Sequence, residues 1–329
     1  MRAVQIKSTG MAVPERVVPN SYFNEILGED VDTWLRENVE IYERRWLDAD
    51  QGVASLCLAA AQQAMDRAGL SNTEVQLLII ATDTPEFISP STASVIQHRL
   101  GLENCATFDV NTACAGFVSA LDTASKYLKS DEQYRNAMVI GCYGMSKYLN
   151  LQDKKTVTLF ADGAGAVILS AKEPGNSDML AALQTTQGQY YDWMGIYSGA
   201  TKEPVSAEIV ANNDQYLKFV KRFPSELNPQ MWSSIAQELC KRAGISVSEV
   251  RMFFMTQINI NSIRGMLDIL ELPHDRAITI MHKFGYTGSA AIPMALNMAV
   301  EQNLIKRGDP ILLIGSGGGL AFAGALMRY

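Results

Sequence analysis

The chemistry-bearing stretch of this chain is Asn111-Thr112-Ala113-Cys114-Ala115-Gly116-Phe117, a cysteine set among small residues. A thiolate attacks carbonyl carbon, and it needs positive potential to persist at neutral pH. The stretch offers that potential: Ala106 to Val110 reads as a buried strand, and Phe117, Leu121, Ala124 and Leu128 recur at helical spacing, so Cys114 falls at a helix start. There the helix dipole and free N–H groups stabilise negative charge. Ala113, Ala115 and Gly116 let a substrate and neighbouring backbone come close to the sulfur. The heptapeptide by itself leaves open a structural cysteine, a residue type that is very often buried.

Composition frames the elements that must position this cysteine. A chain of 329 residues, 47% hydrophobic and 19% charged, is long enough for two fused folding units. Its net charge of -7 argues against a nucleic-acid surface and points to small-molecule chemistry. Apolar runs such as Leu77 to Ala81 and Ile311 to Ile314 are too short to cross a bilayer, and the start of the chain resembles no export signal. Five cysteines, at 57, 105, 114, 142 and 240, have neither metal-ligand nor disulfide-framework spacing. A reduced, cytoplasmic protein without bound metal is expected, with no nucleic-acid or membrane partner.

The chain repeats itself. Arg67 to Val75, RAGLSNTEV, is echoed by Arg242 to Val250, RAGISVSEV; each follows an amphipathic helix (Val53 to Ala68, Trp232 to Ala243) and precedes an apolar strand (Leu77 to Ala81, Met252 to Met255). The same offset carries Thr112 to Leu121 onto Thr287 to Leu296 and sets Cys114 opposite Ser289. Each half then closes on a glycine-rich hairpin, Ala161 to Leu169 and Gly315 to Gly324. Two similar βα halves, 1–173 and 174–329, imply an α/β protein whose sheets are buried between helix layers, with a linker near Ala171 to Ser177. In chain order, Gly10 to Pro19 reads as a loop, Asn20 to Leu27 as a helix, Tyr148 to Thr158 as an exposed loop, and Tyr190 to Asn213 as a long surface excursion.

With these stretches in hand, the chain resembles the thiolase superfamily, and within it the β-ketoacyl-ACP synthase III group, over nearly its whole length. The matching stretches are Pro90 to Ala93 with Ile96 and Gln97, the cysteine heptapeptide, Phe160 to Ala166, Gly285 to Pro293, and Gly317 to Gly319 with Ala325 and Leu326. The resemblance implies a thiolase-like fold of two pseudo-duplicated halves in a five-layered α-β-α-β-α sandwich. It implies an acyltransferase without a tightly bound cofactor: Cys114 takes an acyl group from a CoA or phosphopantetheine thioester, then passes it to a second substrate. Backbone donors for the thioester oxyanion would be Cys114 and, by resemblance, Gly318.

Two departures are prominent. Family members carry His in a Pro-His-Gln-x-Asn stretch and Asn in Gly-Asn-Thr; here these read Met255-Thr256-Gln257-Ile258-Asn259 and Gly285-Tyr286-Thr287. Thr256 and Tyr286 therefore stand where the cysteine's partners are expected; each can donate one hydrogen bond, and neither is a good base at neutral pH. The three histidines, His98, His274 and His282, lie off these positions. Trp34 matches the residue that stacks on the CoA adenine, and Lys154 and Asn259 are the further expected cofactor contacts. Asn38 and Asn261 replace customary basic residues. Glu86, in the Asp83 to Pro90 loop, is a candidate base at a partner subunit's acyl pocket. The partners expected are acyl-CoA or acyl carrier protein, and a second subunit in a homodimer or in a heterodimer with a paralogue. The alternative function is a catalytically reduced subunit that supports a complete ketosynthase homologue.

Overall fold

The computed structural model describes residues 2–175 and 177–329. The sequence repeat becomes two sheets of matching topology. The first has the order Arg2–Ala12, Asp162–Pro174, Asn136–Gly144, Leu77–Ala81, Ala106–Val110; the second has the order Met179–Thr186, Ala321–Arg328, Pro310–Gly317, Met252–Met255. In both, the first three strands pair antiparallel and the remaining pairings are parallel. Where the first sheet has its fifth strand, the second has a single bridge, Phe253 to Ala277.

Parallel strands covered on both faces read as unbroken apolar runs, and Leu77–Ala81 and Met252–Met255 are buried at every position. Helices Gly116–Ser130 and Ala291–Glu301 pack against both sheets and form the central layer. Val53–Ala68 and Thr92–Leu100 cover the outer face of the first sheet, while Leu227–Ala243 lies over the second and packs on Ile260–Ile269. The result is the five-layered α-β-α-β-α sandwich expected. Close approach in the centre depends on Gly141, where a Cβ would stand 2.2 Å from the Ser289 carbonyl oxygen. The two repeated Arg-Ala-Gly stretches end their helices alike, with Gly69 and Gly244 left-handed at φ 63° and 69°.

Several local expectations change. The first strand continues through Gly10 to Ala12, and Val17–Pro19 pairs with Glu43–Arg45, so the region read as a loop is largely sheet. Ala106–Val110 is an edge strand and is only half-buried along most of its length. The glycine-rich stretch after Ala161 is no hairpin: Asp162–Pro174 is one long strand, paired on both sides. Tyr148 to Thr158 holds a short helix, Lys154–Val157, capped by the Asp153 carboxylate. The long excursion contains a two-stranded ladder, Met194–Gly195 with Lys218–Phe219, and the helix Ala207–Ala211. Within the expected linker, Asn176 lies outside the described residues; the strand before it ends at Pro174 and the next begins at Met179.

Candidate active site

Cys114 sits in a tight turn between the Ala106–Val110 strand and the Gly116–Ser130 helix, with Ala115 as the helix cap and 2% of its surface exposed. The turn is strained: Ala113 has φ 46°, a left-handed conformation that costs an alanine of order 1 kcal/mol or more. Asn111 stabilises it by accepting a hydrogen bond from the Ala113 N–H at 3.0 Å, and Thr112 ties the turn to the helix through Ser119 at 3.0 Å.

The second half closes over this turn. A Cβ on Gly315 would lie 2.7 Å from the Ala115 Cα, and one on Gly317 would lie 2.4 Å from the Cys114 nitrogen and 2.8 Å from the Ala113 Cβ. The glycines thus let the Pro310–Gly317 strand and its hairpin rest on the cysteine's own backbone. That contact brings Gly318 beside the Cys114 turn, on the side where the Met194 carbonyl of the excursion also lies.

Burial decides the resting state of the sulfur. It pushes the thiol pKa far above its ordinary value, and the nearby Asp83 carboxylate pushes it the same way. The phenols of Tyr286 and Tyr143 and the cysteine's own N–H, which favour the charged sulfur, oppose this without overcoming it. The expectation of a thiolate held by the helix terminus is therefore corrected. A helix terminus contributes about 0.3–1 kcal/mol in ordinary settings, and desolvation of a buried anion is larger. No hydrogen bond of good geometry joins either phenol to the resting thiol among the described residues, yet both are placed to donate once the sulfur carries charge.

Tyr286 is 2% exposed. Its backbone exchanges 2.9 Å hydrogen bonds with Leu159 and Ala161, and its ring packs on Phe160 at 5.2 Å and Tyr143 at 6.3 Å. Thr256, also buried, has a different neighbourhood. Its hydroxyl accepts from the Ser316 N–H at 2.9 Å and donates to the Ser316 carbonyl at 3.3 Å, so both of its bonds secure the strand leading into the glycine hairpin. Gln257 likewise serves the fold, bonding Ile278, Ile280 and Met281.

Two groups at the site escaped the sequence reading. Tyr143, at the end of the Asn136–Gly144 strand, is 1% exposed. Asp83 follows the Leu77–Ala81 strand; its Oδ1 is sealed from solvent with no hydrogen-bond partner among the described residues, and burial raises its pKa to about 6. Both lie just at the carboxyl ends of strands, as do Cys114, Thr256 and Ser316. Ligand sites of α/β sheets open at those ends, which is the signal that could have found them. Glu86, the carboxylate singled out instead, accepts from the Ala54 N–H at 2.9 Å and so caps the Val53–Ala68 helix.

The expected nucleotide contacts lie elsewhere on the surface. Trp34 is 54% exposed on the helix Asp32–Asn38. Asn261 donates to the Asn38 carbonyl at 3.0 Å, so the two positions lacking cations are neighbours. Asn259 caps the Ile260–Ile269 helix through the Asn261 N–H at 2.9 Å, and Lys154 pairs with Glu29 at 3.0 Å. Of the histidines, His274 bonds Asp268 at 2.8 Å, and burial lowers the pKa of His282, whose ring lies 6.3 Å from Tyr42.

A duplicated five-layered sandwich with a cysteine turn at the junction of its halves defines a thiolase-fold protein. The model for 3-oxoacyl-[acyl-carrier-protein] synthase III matches residues 108–188, and the model for that synthase's C-terminal part matches residues 240–329. The chain is 34% identical over 323 residues to a β-ketoacyl-[acyl-carrier-protein] synthase III of Roseiflexus sp., covering 97% of this chain and 96% of the relative. It is 32% identical over 324 residues to that of Aliarcobacter butzleri, covering 98% and 97%. The crystal structure of the 3-oxoacyl-[acyl-carrier-protein] synthase III from Aquifex aeolicus superposes with a TM-score of 0.90 at 30% identity, covering 99% of this chain and all of that one. The chain belongs to the β-ketoacyl-ACP synthase III family. No helix among the described residues is long and apolar enough to cross a membrane.

Proposed function

We propose that this protein is an acyltransferase of the synthase III type that takes an acyl group from acyl-CoA or acyl carrier protein onto Cys114 and passes it to a second substrate. The observation that carries the reading is the seating of Cys114: a strained turn from one half, roofed by the glycine hairpin of the other so closely that a Cβ on Gly317 would stand 2.4 Å from its backbone nitrogen. Such a turn exposes backbone N–H groups to a thioester oxygen, and the Cys114 and Gly318 N–H groups are the proposed oxyanion donors. Tyr286 and Tyr143 favour the ionised sulfur.

The second step departs from the usual one in its donors. Enolate formation by decarboxylation draws on neutral hydrogen-bond donors; Tyr286 offers a phenol in that position, whereas the Thr256 hydroxyl is committed to Ser316. A large ring in place of a small amide also narrows the space for an extender thioester. Trp34 stacks the adenine of a CoA donor, with Lys154 and Asn259 as polar contacts at its edge. The deciding experiment is intact-mass measurement after incubation with a panel of acyl-CoAs and acyl carrier proteins. An adduct that disappears in Cys114→Ala supports the reading. No adduct from any donor, together with co-purification and activity only beside a complete homologue, replaces it with a supporting-subunit role.

A further inference from the structure

Trp34, 54% exposed on the helix Asp32–Asn38, stands among neutral amides. Asn38 Nδ2 donates to the Trp34 carbonyl at 3.0 Å, Asn261 Nδ2 donates to the Asn38 carbonyl at 3.0 Å, and the Asn261 N–H donates to Asn259 Oδ1 at 2.9 Å. These bonds bring the start of the helix Ile260–Ile269 against the end of Asp32–Asn38. Each of the two helices has one cation, and each cation is already paired. Arg36 Nε lies 2.8 and 2.9 Å from the two Asp32 oxygens, with its guanidinium 5.1 Å from the centre of the Tyr42 ring, and Arg264 lies 2.7 Å from Glu40. Lys154, the other expected contact, lies 3.0 Å from Glu29.

Exposed ion pairs are weak, so an incoming phosphate can draw such a cation away from its carboxylate. The carboxylate then stays behind, and the net charge met by the phosphate does not change. The three pairs sum to zero before the remaining acids are counted. From Asn20 to Glu43 the chain has seven Asp and Glu against a single base, Arg36, and of these acids the exposed Glu25, Asp30 and Glu37 form no ion pair among the described residues. Lys155, which follows Lys154, is the one cation of its short helix without a carboxylate partner among the described residues. The 3′-phosphate of CoA is a monoester with about two negative charges, and it is attached to the ribose that bears the adenine. A nucleotide stacked on Trp34 therefore sets that phosphate down on ground that is neutral to acidic.

Resting on the acyl-transfer reading, we propose that the donor site holds a nucleotide by stacking alone and selects against the 3′-phosphate of CoA, so that the donor class it serves is a phosphopantetheine thioester without that phosphate, the arm of an acyl carrier protein. A site that reads phosphate does so with guanidinium groups free to bond it in a fork. Here the amides of Asn38 and Asn261 are spent on backbone carbonyls, and Arg36 and Arg264 are spent on carboxylates. The transfer to Cys114 is untouched by this difference, because the thioester lies at the far end of the pantetheine from the nucleotide. What changes is the grip on the donor and its response to salt. Attraction between a phosphate and free cations weakens as salt is added, whereas repulsion between a phosphate and uncompensated acids is screened away.

The test is calorimetric titration of the full chain with CoA and with 3′-dephospho-CoA, which needs no acyl transfer, beside acylation of Cys114 by acyl-CoA and by acyl carrier protein. The dephospho form should bind about threefold more tightly than CoA at about 20 mM salt, with the gap closing toward about 200 mM as the screening length shrinks. Asn261→Arg should reverse the order and favour CoA about tenfold, the worth of one charge-assisted hydrogen bond to phosphate. Glu40→Gln, which releases Arg264, should move the ratio the same way by less, and Lys155→Gln should leave it unchanged. Acyl carrier protein should exceed acyl-CoA in kcat/KM. CoA binding as tightly as the dephospho form or more so at low salt, a selective loss of CoA in Lys155→Gln, or a preference for acyl-CoA over the carrier overturns the proposal. The expected nucleotide order with no acylation of Cys114 by any donor refutes acyl transfer and leaves the selection against the 3′-phosphate standing. Acylation by the carrier with no binding of either nucleotide does the opposite.

Discussion

Gly317 and Gly318 are adjacent, and the structure makes opposite forecasts for them. A Cβ on Gly317 would fall 2.4 Å from the Cys114 nitrogen, 2.8 Å from the Ala113 Cβ and 2.9 Å from the Thr112 carbonyl oxygen, all of them backbone or as short as a methyl. Ordinary contact starts at 3.4 Å, so the hairpin or the cysteine turn must shift by about 1 Å, and neither has a flexible side chain to yield. A Cβ on Gly318 would meet only the Met194 carbonyl at 3.5 Å and the Ala113 Cβ at 4.0 Å, which is normal packing. The N–H proposed for the oxyanion belongs to Gly318, yet alanine is tolerated there and not next door. A 1 Å error in the placement of reacting groups costs about 100-fold in rate. Gly317→Ala should therefore slow single-turnover acylation of Cys114 about 100-fold, with overpacking costing about 1–3 kcal/mol of stability. Gly318→Ala should stay within about threefold of wild type, its steric change being worth well under 1 kcal/mol by the same contact argument. Time-resolved intact mass gives the rates, and urea denaturation checks that both variants are folded under assay conditions. Wild-type acylation by Gly317→Ala, or a larger loss in Gly318→Ala, would refute the placement of the hairpin on the nucleophile.

Other perturbations follow from single contacts. Tyr286→Phe removes the strongest support for the ionised sulfur, a charge-assisted hydrogen bond worth about 1.5–3 kcal/mol, and should slow acylation about 10–100-fold, with Tyr143→Phe losing less; a faster Tyr286→Phe would contradict the site. Trp34→Ala should raise KM for acyl-CoA about tenfold, given about 1–3 kcal/mol for base stacking, while KM for acyl-pantetheine, which has no adenine, stays put. Thr256→Val leaves the buried Ser316 N–H unpaired and should cost about 1–3 kcal/mol in urea melts, with Thr256→Ser near wild type; unchanged stability with lost transfer to the acceptor would return the hydroxyl to a catalytic role. Asp83→Asn should also alter stability with a definite sign. The carboxyl titrates at about 6 when folded against 3.8 for the free group, so the folded state binds the extra proton between those values, and that stabilisation is lost as pH rises through 6. The difference between about 6 and 3.8 is worth about 3 kcal/mol, so the variant should exceed wild type by about that much at pH 8, with most of the gap closing as pH falls to about 4; a gap independent of pH would mean Asp83 is not buried as an anion.

What the sequence made legible was whatever repeats or alternates. The paired Arg-Ala-Gly stretches located two equivalent helix ends, and the apolar runs Leu77–Ala81 and Met252–Met255 located two equivalent strands, because burial on both faces leaves a plain compositional trace. Cys114 was legible because its small neighbours are needed by everything that touches it. The state of its thiol was not, because helix position is local whereas desolvation depends on the Asn136–Gly144 strand and the Pro310–Gly317 hairpin, both distant in sequence. Tyr143 and Asp83 were illegible for a related reason: one reads as part of a β-rich run and the other as a turn acid. Only the topology shows that both stand at the carboxyl ends of neighbouring strands. Thr256 was legible as a polar residue just after the Met252–Met255 strand, but its hydroxyl is committed to the backbone of Ser316, which no sequence pattern places beside it.

The same comparison of halves explains why a duplicated fold has one such site. Ser289 occupies the place of Cys114, yet its hydroxyl donates to the Cys142 carbonyl at 2.7 Å and its own carbonyl lies where a Cβ on Gly141 would fall. That turn is packed flush against the first sheet. The difference lies in the closing elements. In the second half the glycine run bends into a hairpin between Pro310–Gly317 and Ala321–Arg328, so it reaches across to the cysteine turn. In the first half the corresponding glycines stay in the Asp162–Pro174 strand, where Gly163 and Gly165 receive Met294 and Pro293 of the central helix. A glycine run that admits a helix cannot also roof a nucleophile. The duplication therefore supplies a turn twice and a roof once, and the chemistry gathers where both are present.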